Sequence, residues 1–272
     1  MIPKSTVSKA VSRLERETGT KLMLRTTRSL TLTAAGRAFY DSCLGPIQLI
    51  EDAQKSLFGR DSILTGLVRI TAPEDLGTQV IAPALGELAK KNSGLCFEIN
   101  NTDEVVDLIK EGFDLAVRVG KLQTSGLRAK RIGEVTLIPV ASPRYLKTKA
   151  KISSPQDLQD QDCLALKARK LTAPWILRSS RETARVAVNV RIASNQMSSL
   201  LKAAVAGAGV ALVPTFLCFP AIAAGELIRV LPEWNGPSVQ VSLISPLAST
   251  SSARLKVTSE HIVAAIRSAL LN

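Results

Sequence analysis

The sequence has little of what catalysis, metal binding or secretion usually requires. It holds one histidine, four cysteines and only 4% aromatic residues in 272. Cys43, Cys96, Cys163 and Cys218 are scattered with no C-x-x-C pair, so neither a disulfide framework nor a zinc ribbon is expected. Lone cysteines in a reducing compartment usually serve as small core residues; a redox-sensing thiol is the alternative reading. His261 lies in an apolar helical pattern near the C-terminus with no partner in view, which argues against a His-based catalytic group or a metal site. There is no P-loop, no G-x-S-x-G and no metal-ligand spacing. Ala206-Gly207-Ala208-Gly209-Val210 contains G-x-G, but it follows a helix and leads into a strand, the reverse of a dinucleotide fingerprint. The expectation is a protein with no catalytic residue, no metal and no cofactor. No apolar run approaches the ~18 residues that span a bilayer. Lys4 and Lys9 are followed by no apolar signal-peptide core. A cytoplasmic protein with no membrane association is expected.

What is present in excess is positive charge. The formal net charge is +12, and the first thirty residues carry Lys4, Lys9, Arg13, Arg16, Lys21, Arg25 and Arg28 against Glu15 and Glu17 alone. Such a density suits a polyanion, because each cation placed on a phosphate releases condensed counterions. A solvated, solubilising surface would look the same from charge alone.

The pattern beneath the charge is more specific. From Pro3, Val7, Ala10, Val11 and Leu14 recur at helical spacing and form one apolar stripe. The opposite face carries Ser5, Ser8, Lys9, Ser12, Arg13 and Arg16. Short hydroxyls let a helix approach base edges, while flanking cations reach phosphates. Thr18-Gly19-Thr20 then turns the chain. In the run Lys21–Thr33 that follows, the β-branched content and alternation from Arg28 to Thr33 suggest a short hairpin with Arg25 and Arg28 near its tip, the outline of a winged helix-turn-helix.

The run S-T-V-S-K-A-V-S-R-L-E-R-E-T-G-T-K-L-M-L-R-T-T-R-S-L-T-L-T-A-A-G resembles the recognition helix, wing and linker start of LysR-type transcriptional regulators. The serine-led helix, the L-E before a glycine turn, R-T-T-R and L-T-x-x-G match in order and spacing. The resemblance implies that Ser5, Thr6, Ser8, Lys9 and Arg13 face double-stranded DNA, with Arg25, Thr27 and Arg28 as wing contacts. The family has two further helices before this point, roughly 25–30 residues at ordinary lengths. The expectation is therefore a gene start further upstream; a naturally shortened regulator is the alternative.

From Thr33 to about Gly59 a second helical pattern carries apolar Ala38, Ile47, Ile50, Ala53 and Leu57, with Gly45-Pro46 as a kink. By analogy this is the linker helix that pairs two copies, giving a homodimer or a tetramer. Ser62–Gly66 serves as the hinge. The expected organisation is a partial winged helix-turn-helix at 1–33, the linker at 34–65 and an effector-binding domain at 66–272.

In that domain the expected order is strand Leu67–Thr71, helix Leu76–Lys91, strand Leu95–Asn100, helix Asp103–Glu111 and strand Phe113–Val119. This is a βαβαβ unit with a parallel sheet. E-V-V-D-L-I-K-E-G-F-D-L-A-V-R-V-G at Glu104–Gly120 and V-A-S-P-R-Y-L at Val140–Leu146 also resemble the family's effector domain. A second lobe follows: strand Arg185–Ala193, helix Met197–Ala206, strands Gly209–Pro214 and Leu227–Leu231. The chain returns near Ser245-Pro246, and Ala253–Leu271 closes the first lobe as a helix. The fold class is α/β, a two-lobed effector domain like a periplasmic binding protein, with lobe I at 66–139 and 246–272 and lobe II at 140–245.

A small effector is expected between the lobes, beyond the carboxyl ends of the strands. The candidate loops are Thr71-Ala72-Pro73-Glu74-Asp75, Asn101-Thr102, Ser194-Asn195-Gln196 and Pro214-Thr215, with Thr71, Ala72, Pro73, Asn101, Thr102, Ser194, Asn195, Pro214 and Thr215 as the candidate contacts. Hydroxyls and amides beside helix N-termini can hold a small anion, or simply cap their helices. Glu74 and Asp75 would repel an anion unless neutralised; they suit a cationic or polar ligand, or point away. The basic clusters Arg128–Arg131, Lys147–Lys151 and Lys167–Lys170 read as solvated surface. Three functions compete on these residues: a ligand-responsive DNA-binding regulator, a solute-binding protein with no DNA activity, and an enzyme for which no chemistry is visible.

Overall fold

The structure is a computed structural model and describes residues 3–25, 30–57, 64–120, 127–166, 172–246 and 252–271. Pro3, extended at φ −60° and ψ 140°, leads into helix α1 (Lys4–Thr18), which stops where Gly19 turns left-handed at φ 65°. Two short antiparallel strands follow, β1 (Met23–Arg25) and β2 (Leu30–Leu32), with Met23 opposite Leu32 and Arg25 opposite Leu30. Thr33 then caps α2 (Ala34–Leu57): its hydroxyl accepts the Gly36 amide at 2.9 Å and its carbonyl the Arg37 amide at 2.9 Å. Pro46 lies inside α2, which is helical throughout those bounds.

Among the described residues, ten strands form one continuous sheet. The first lobe starts with β3 (Gly66–Ala72), parallel to β4 (Leu95–Asn101) on one side and β5 (Leu115–Val119) on the other. Between β3 and β4 the chain is helical as expected. The helix is composite: α3 (Glu74–Leu76) passes through a π-helical turn, Gly77–Ile81, into α4 (Ala82–Lys91). Such π turns often mark functional positions.

The expected helix at Asp103–Glu111 does not form. Asp107 accepts the amides of Ile109 and Lys110 at 3.1 Å through Oδ1, so the helical turn starts there. The Phe113 amide returns to the Leu108 carbonyl at 2.8 Å, with Gly112 at φ 72°, so the turn ends there too. One turn is all that fits between the two. Val105 and Ile109 make the periodicity look helical, yet they are 83% and 67% exposed; Leu108 and Phe113 are buried, and Val106 packs half-buried beside them.

Two long strands join the lobes. β6 (Leu127–Ala141) pairs antiparallel with β12 (Ser238–Pro246) over residues 127–136, then with β10 (Val210–Pro214) over 137–140. β12 also pairs with β5 from Val241 to Ile244. The returning chain therefore already lies in the first lobe's sheet before Ser245-Pro246. The second lobe adds α5 (Pro143–Leu146), β7 (Asp162–Leu166), β8 (Thr172–Arg178), β9 (Thr183–Ser194), α6 (Met197–Val205), α7 (Thr215–Ala223) and β11 (Ile228–Arg229). Strands β10, β7 and β9 run parallel, so their carboxyl ends point the same way.

The apolar side chains explain why these layers adhere. Val68, Ile70, Leu115, Val117, Val241 and Leu243 line one face of the first lobe's sheet. They pack with Leu76, Ile81 and Leu85 beneath α8 (Ala253–Leu271), which supplies Leu255, Ile262, Val263 and Ile266. In the second lobe one sheet face buries Trp175, Leu177, Val186 and Val188, and the other packs Ile138, Val140 and Val213 on Leu200 and Leu201 of α6 and Leu217 of α7. Each fully buried Leu or Ile contributes about 1.5–3 kcal/mol relative to an exposed one. His261, expected without a partner, lies 2.9 Å through Nε2 from the Ala84 carbonyl and ties α8 to α4.

Candidate functional site

Two places gather the polar residues singled out from the sequence. The first is α1 with its hairpin. Glu15, with a side chain only 9% exposed, accepts the backbone amides of Leu22 at 2.9 Å and Met23 at 3.0 Å and pairs with Lys21 at 3.0 Å. Those amide bonds and the neighbouring ammonium hold its carboxyl well below the ordinary range, at about 2. Thr33 closes the other side: its hydroxyl donates to the Lys21 carbonyl at 2.7 Å and its amide to the Leu22 carbonyl at 3.0 Å. At Gly36 a Cβ would lie 1.9 Å from the Leu22 carbonyl oxygen. Glycine is therefore required for the close approach of α2 to the hairpin. The sequence features L-E and L-T-x-x-G are thus the clamp that sets the hairpin against the helix.

That clamp leaves one face of α1 open. Ser5, Thr6, Lys9, Ser12, Arg13 and Arg16 are exposed and Ser8 is half-buried. Arg13 Nε donates to Glu17 Oε1 at 2.7 Å, an exposed pair of the kind that is weak and easily exchanged. The apolar stripe is only partly covered: Val7 is 50% exposed and Ala10 is exposed, while Val11 and Leu14 are half-buried. Arg25 lies in β1. Thr27 and Arg28 fall outside the described residues, as do Ser62 and Ile63 of the hinge and the basic cluster Lys167–Lys170.

The second place is the cleft between the lobes. Thr71 is fully buried and its Oγ1 accepts Arg118 Nη2 at 3.1 Å, while Arg118 Nη1 reaches the Thr102 carbonyl at 3.2 Å. The Ala72 carbonyl accepts the Thr102 amide at 2.8 Å. Thr71, Ala72, Asn101 and Thr102 therefore meet at the carboxyl ends of β3 and β4. Pro73 begins the helix beside them, and Asn101 packs on Gly77 of the π turn. Burial pulls the Arg118 pKa down, against the charges of Asp103 and Glu111. Arg118 carries no expectation in the sequence because L-A-V-R-V reads as a buried run; the one charge inside that run is the available signal.

From the second lobe, Ser194 accepts the Gln196 amide at 3.1 Å through its hydroxyl, and Asn195 is exposed beside it. Gln196 Nε2 donates to Glu74, and the Ser198 amide donates to Asp75 Oδ1 at 3.1 Å. Glu74 and Asp75 thus neither point away nor stand open for a cation; they reach across to α6. Pro214 and Thr215 begin α7, where neighbouring Phe216 packs against the cores of both lobes. Of the surface clusters, Lys149 departs from simple solvation: it pairs with Asp162 at 2.8 Å and lies over the Tyr145 ring. Cys163 and Cys218 are fully buried, and burial pushes their thiols up to about 12 and about 11.

Comparison with known proteins bears on both places at once. A model of the LysR substrate binding domain matches residues 62–267, and one of bacterial regulatory helix-turn-helix proteins of the lysR family matches residues 1–37. The chain belongs to the LysR family of transcriptional regulators. Its relatives include an HTH-type transcriptional regulator of Haemophilus influenzae, 35% identical over 88% of this chain and 83% of that protein. The transcriptional activator AaeR of Escherichia coli is 30% identical over 85% of this chain and 75% of its own length. Among solved structures, the full-length Vibrio cholerae virulence activator AphB is similar, with a TM-score of 0.65 at 25% identity, covering 97% of this chain and 90% of that one. CrgA of Neisseria meningitidis shares the fold, with a TM-score of 0.68 at 22% identity over 97% of this chain and 90% of its own. This LysR-family member is a DNA-binding transcription regulator, with a helix-turn-helix unit at its N-terminus and an effector-binding domain of the periplasmic-binding-protein type behind it.

Proposed function

We propose that the regulator reads double-stranded DNA through the hydroxyl-and-cation face of α1, from Ser5, Thr6, Ser8 and Lys9 to Arg13, with Arg25, Thr27 and Arg28 of the hairpin on the backbone or minor groove. The observation that carries this is the composition of that face: it presents short hydroxyls between exposed cations and meets no acid before Glu15. α2 pairs two copies, since Phe39, Tyr40, Ile47 and Ile50 are all exposed apolar side chains on it. A homodimer or tetramer would present two reading units to a palindromic operator. The protein works in the cytoplasm as a sensor and catalyses no reaction; among the described residues no helix is long and apolar enough to cross a membrane.

A small effector bound between the lobes modulates DNA binding. Thr71, Ala72 and Pro73, Asn101 and Thr102, Ser194 and Asn195, and Pro214 and Thr215 line its site. Arg118 favours an effector with an acidic group, because its hydrogen bonds among the described residues go to hydroxyl and carbonyl oxygens, while Asp103 and Glu111 act on it through charge alone. The test is a mobility-shift titration of the full chain against DNA upstream of its own gene and neighbouring genes. Specific retardation is expected. Lys9→Ala and Arg28→Ala should each weaken it on all sequences and reduce the salt slope by about 1. Unchanged slopes in both variants would remove the phosphate contacts assigned to these residues.

A further inference from the structure

A helix N-terminus carries backbone amides with no partner inside the helix, and it attracts anions. The N-terminus of α6 faces the cleft, and in this structure an anion already occupies it: the carboxylate of Asp75, contributed by the opposite lobe. The Ser198 amide donates to Asp75 Oδ1 at 3.1 Å, and the Ser198 hydroxyl and the Met197 amide also stabilise the charge. Next to it, Gln196 donates its side-chain amide to Glu74. These contacts join residues 122 and 123 positions apart in sequence and belong to different lobes.

We propose that Glu74 and Asp75 form an acid clasp across the cleft, in which Asp75 occupies the α6 N-terminus that an acidic group of the effector would take. Binding of such an effector and release of the clasp are then one event. The second half rests on the reading that the effector enters this cleft.

Three observations support a contact made to be exchanged. Burial raises the Asp75 pKa more than its bonds to Ser198 and Met197 lower it, and the like charge of Asp103 adds to the rise. The carboxylate is therefore held at a net cost. The residues bearing it, Glu74 and Asp75, lie one turn before the π-helical segment Gly77–Ile81, an irregular stretch that can re-wind. The lobes are joined through β6 and β12, and for hinge closure about such crossings small contacts across the cleft would set how far the lobes close.

Hydrogen exchange of the Ser198 amide reads the clasp directly. Ser198 lies in the first turn of α6 and its N–H has no acceptor within the helix. In the full-length protein without effector, Asp75→Ala should speed its exchange about tenfold or more, while Leu201, deeper in α6, keeps its rate. Asp75→Asn, nearly the same shape, should give an intermediate rate and covers the case where the alanine variant folds poorly. Unchanged Ser198 exchange in both variants overturns the clasp. Malonate, a small dicarboxylate, should then slow Ser198 exchange in Asp75→Ala at roughly tenfold lower concentration than it perturbs the wild type. Equal sensitivity of wild type and variant overturns the shared seat. The first measurement contains no ligand, so it stands apart from the effector reading; the malonate titration fails with it.

Discussion

In the helix-turn-helix unit and linker helix, among the described residues, Leu22 is the one large apolar side chain that is buried; Val7, Phe39, Tyr40, Ile47 and Ile50 stay at least 42% exposed. In the effector domain Ile70, Leu164, Leu200 and Ile262 are wholly shielded and stack in layers. The first unit keeps its shape by a few polar contacts, from Glu15 and Thr33 onto the hairpin backbone. The second keeps its shape by burial. Polar contacts fix a geometry with little mass and leave surfaces free for other molecules, whereas burial makes a body that stands alone. The difference matches the division of labour between a reading head and a sensor.

The largest expected effect lies in the core of the effector domain. Ile262→Ala should cost the effector domain about 2–5 kcal/mol, read by urea unfolding, while Leu22→Ala should leave that transition in place. Equal losses from both would mean that the two regions do not differ in kind. Gly36→Ala comes next. Its new Cβ would meet the Leu22 carbonyl and force the hairpin away, a strain of about 1–3 kcal/mol. DNA affinity should fall roughly five- to a hundredfold with the effector domain's unfolding curve unmoved.

Smaller still is the pH response of Glu15. Its carboxyl is lowered in the fold to about 2 from 4.5. The stability its hairpin contacts contribute is fully present above pH 4.5 and is lost progressively as the pH falls through about 2. Amide shifts of Leu22 and Met23, which report the folded state, should titrate near pH 2 in the wild type and stay flat there in Glu15→Gln. Last, Cys163 and Cys218 should resist iodoacetamide at neutral pH in the native protein, since burial raises their pKa values to about 12 and about 11. Exposed Cys96 should be modified first, and early labelling of Cys163 would show that its lobe opens.

The elements best read in the sequence were those whose period agrees with their burial. β3, β4, α6, β10 and α8 appear within a residue or two of expectation. The helix expected at 103–111 failed because Val105 and Ile109 supplied the right period but no burial, and because Asp107 preferred to cap. The long joining strand β6 was invisible as one strand, since its first half faces a different lobe from its second. The cleft residues lay at strand ends as expected, but no pattern reveals that Glu74 and Asp75 find their partners more than a hundred positions away. Arg118 was hidden for a similar reason: a charge at the end of a buried strand gains its meaning from Thr71 and Thr102 beside it.

The first lobe's core combines β3 and β5, early in the chain, with α8, which comes after the whole second lobe. During synthesis the sheet of the first lobe must therefore wait with Val68, Ile70 and Val117 uncovered while the second lobe is made. The second lobe, continuous in sequence from α5 through β11, can assemble first. A nascent chain that has emerged only as far as Ala253 would hold a finished second lobe and an open first one, a species sticky enough to attract chaperones. The order in which this sensor becomes competent is thus the reverse of the order in which its lobes begin.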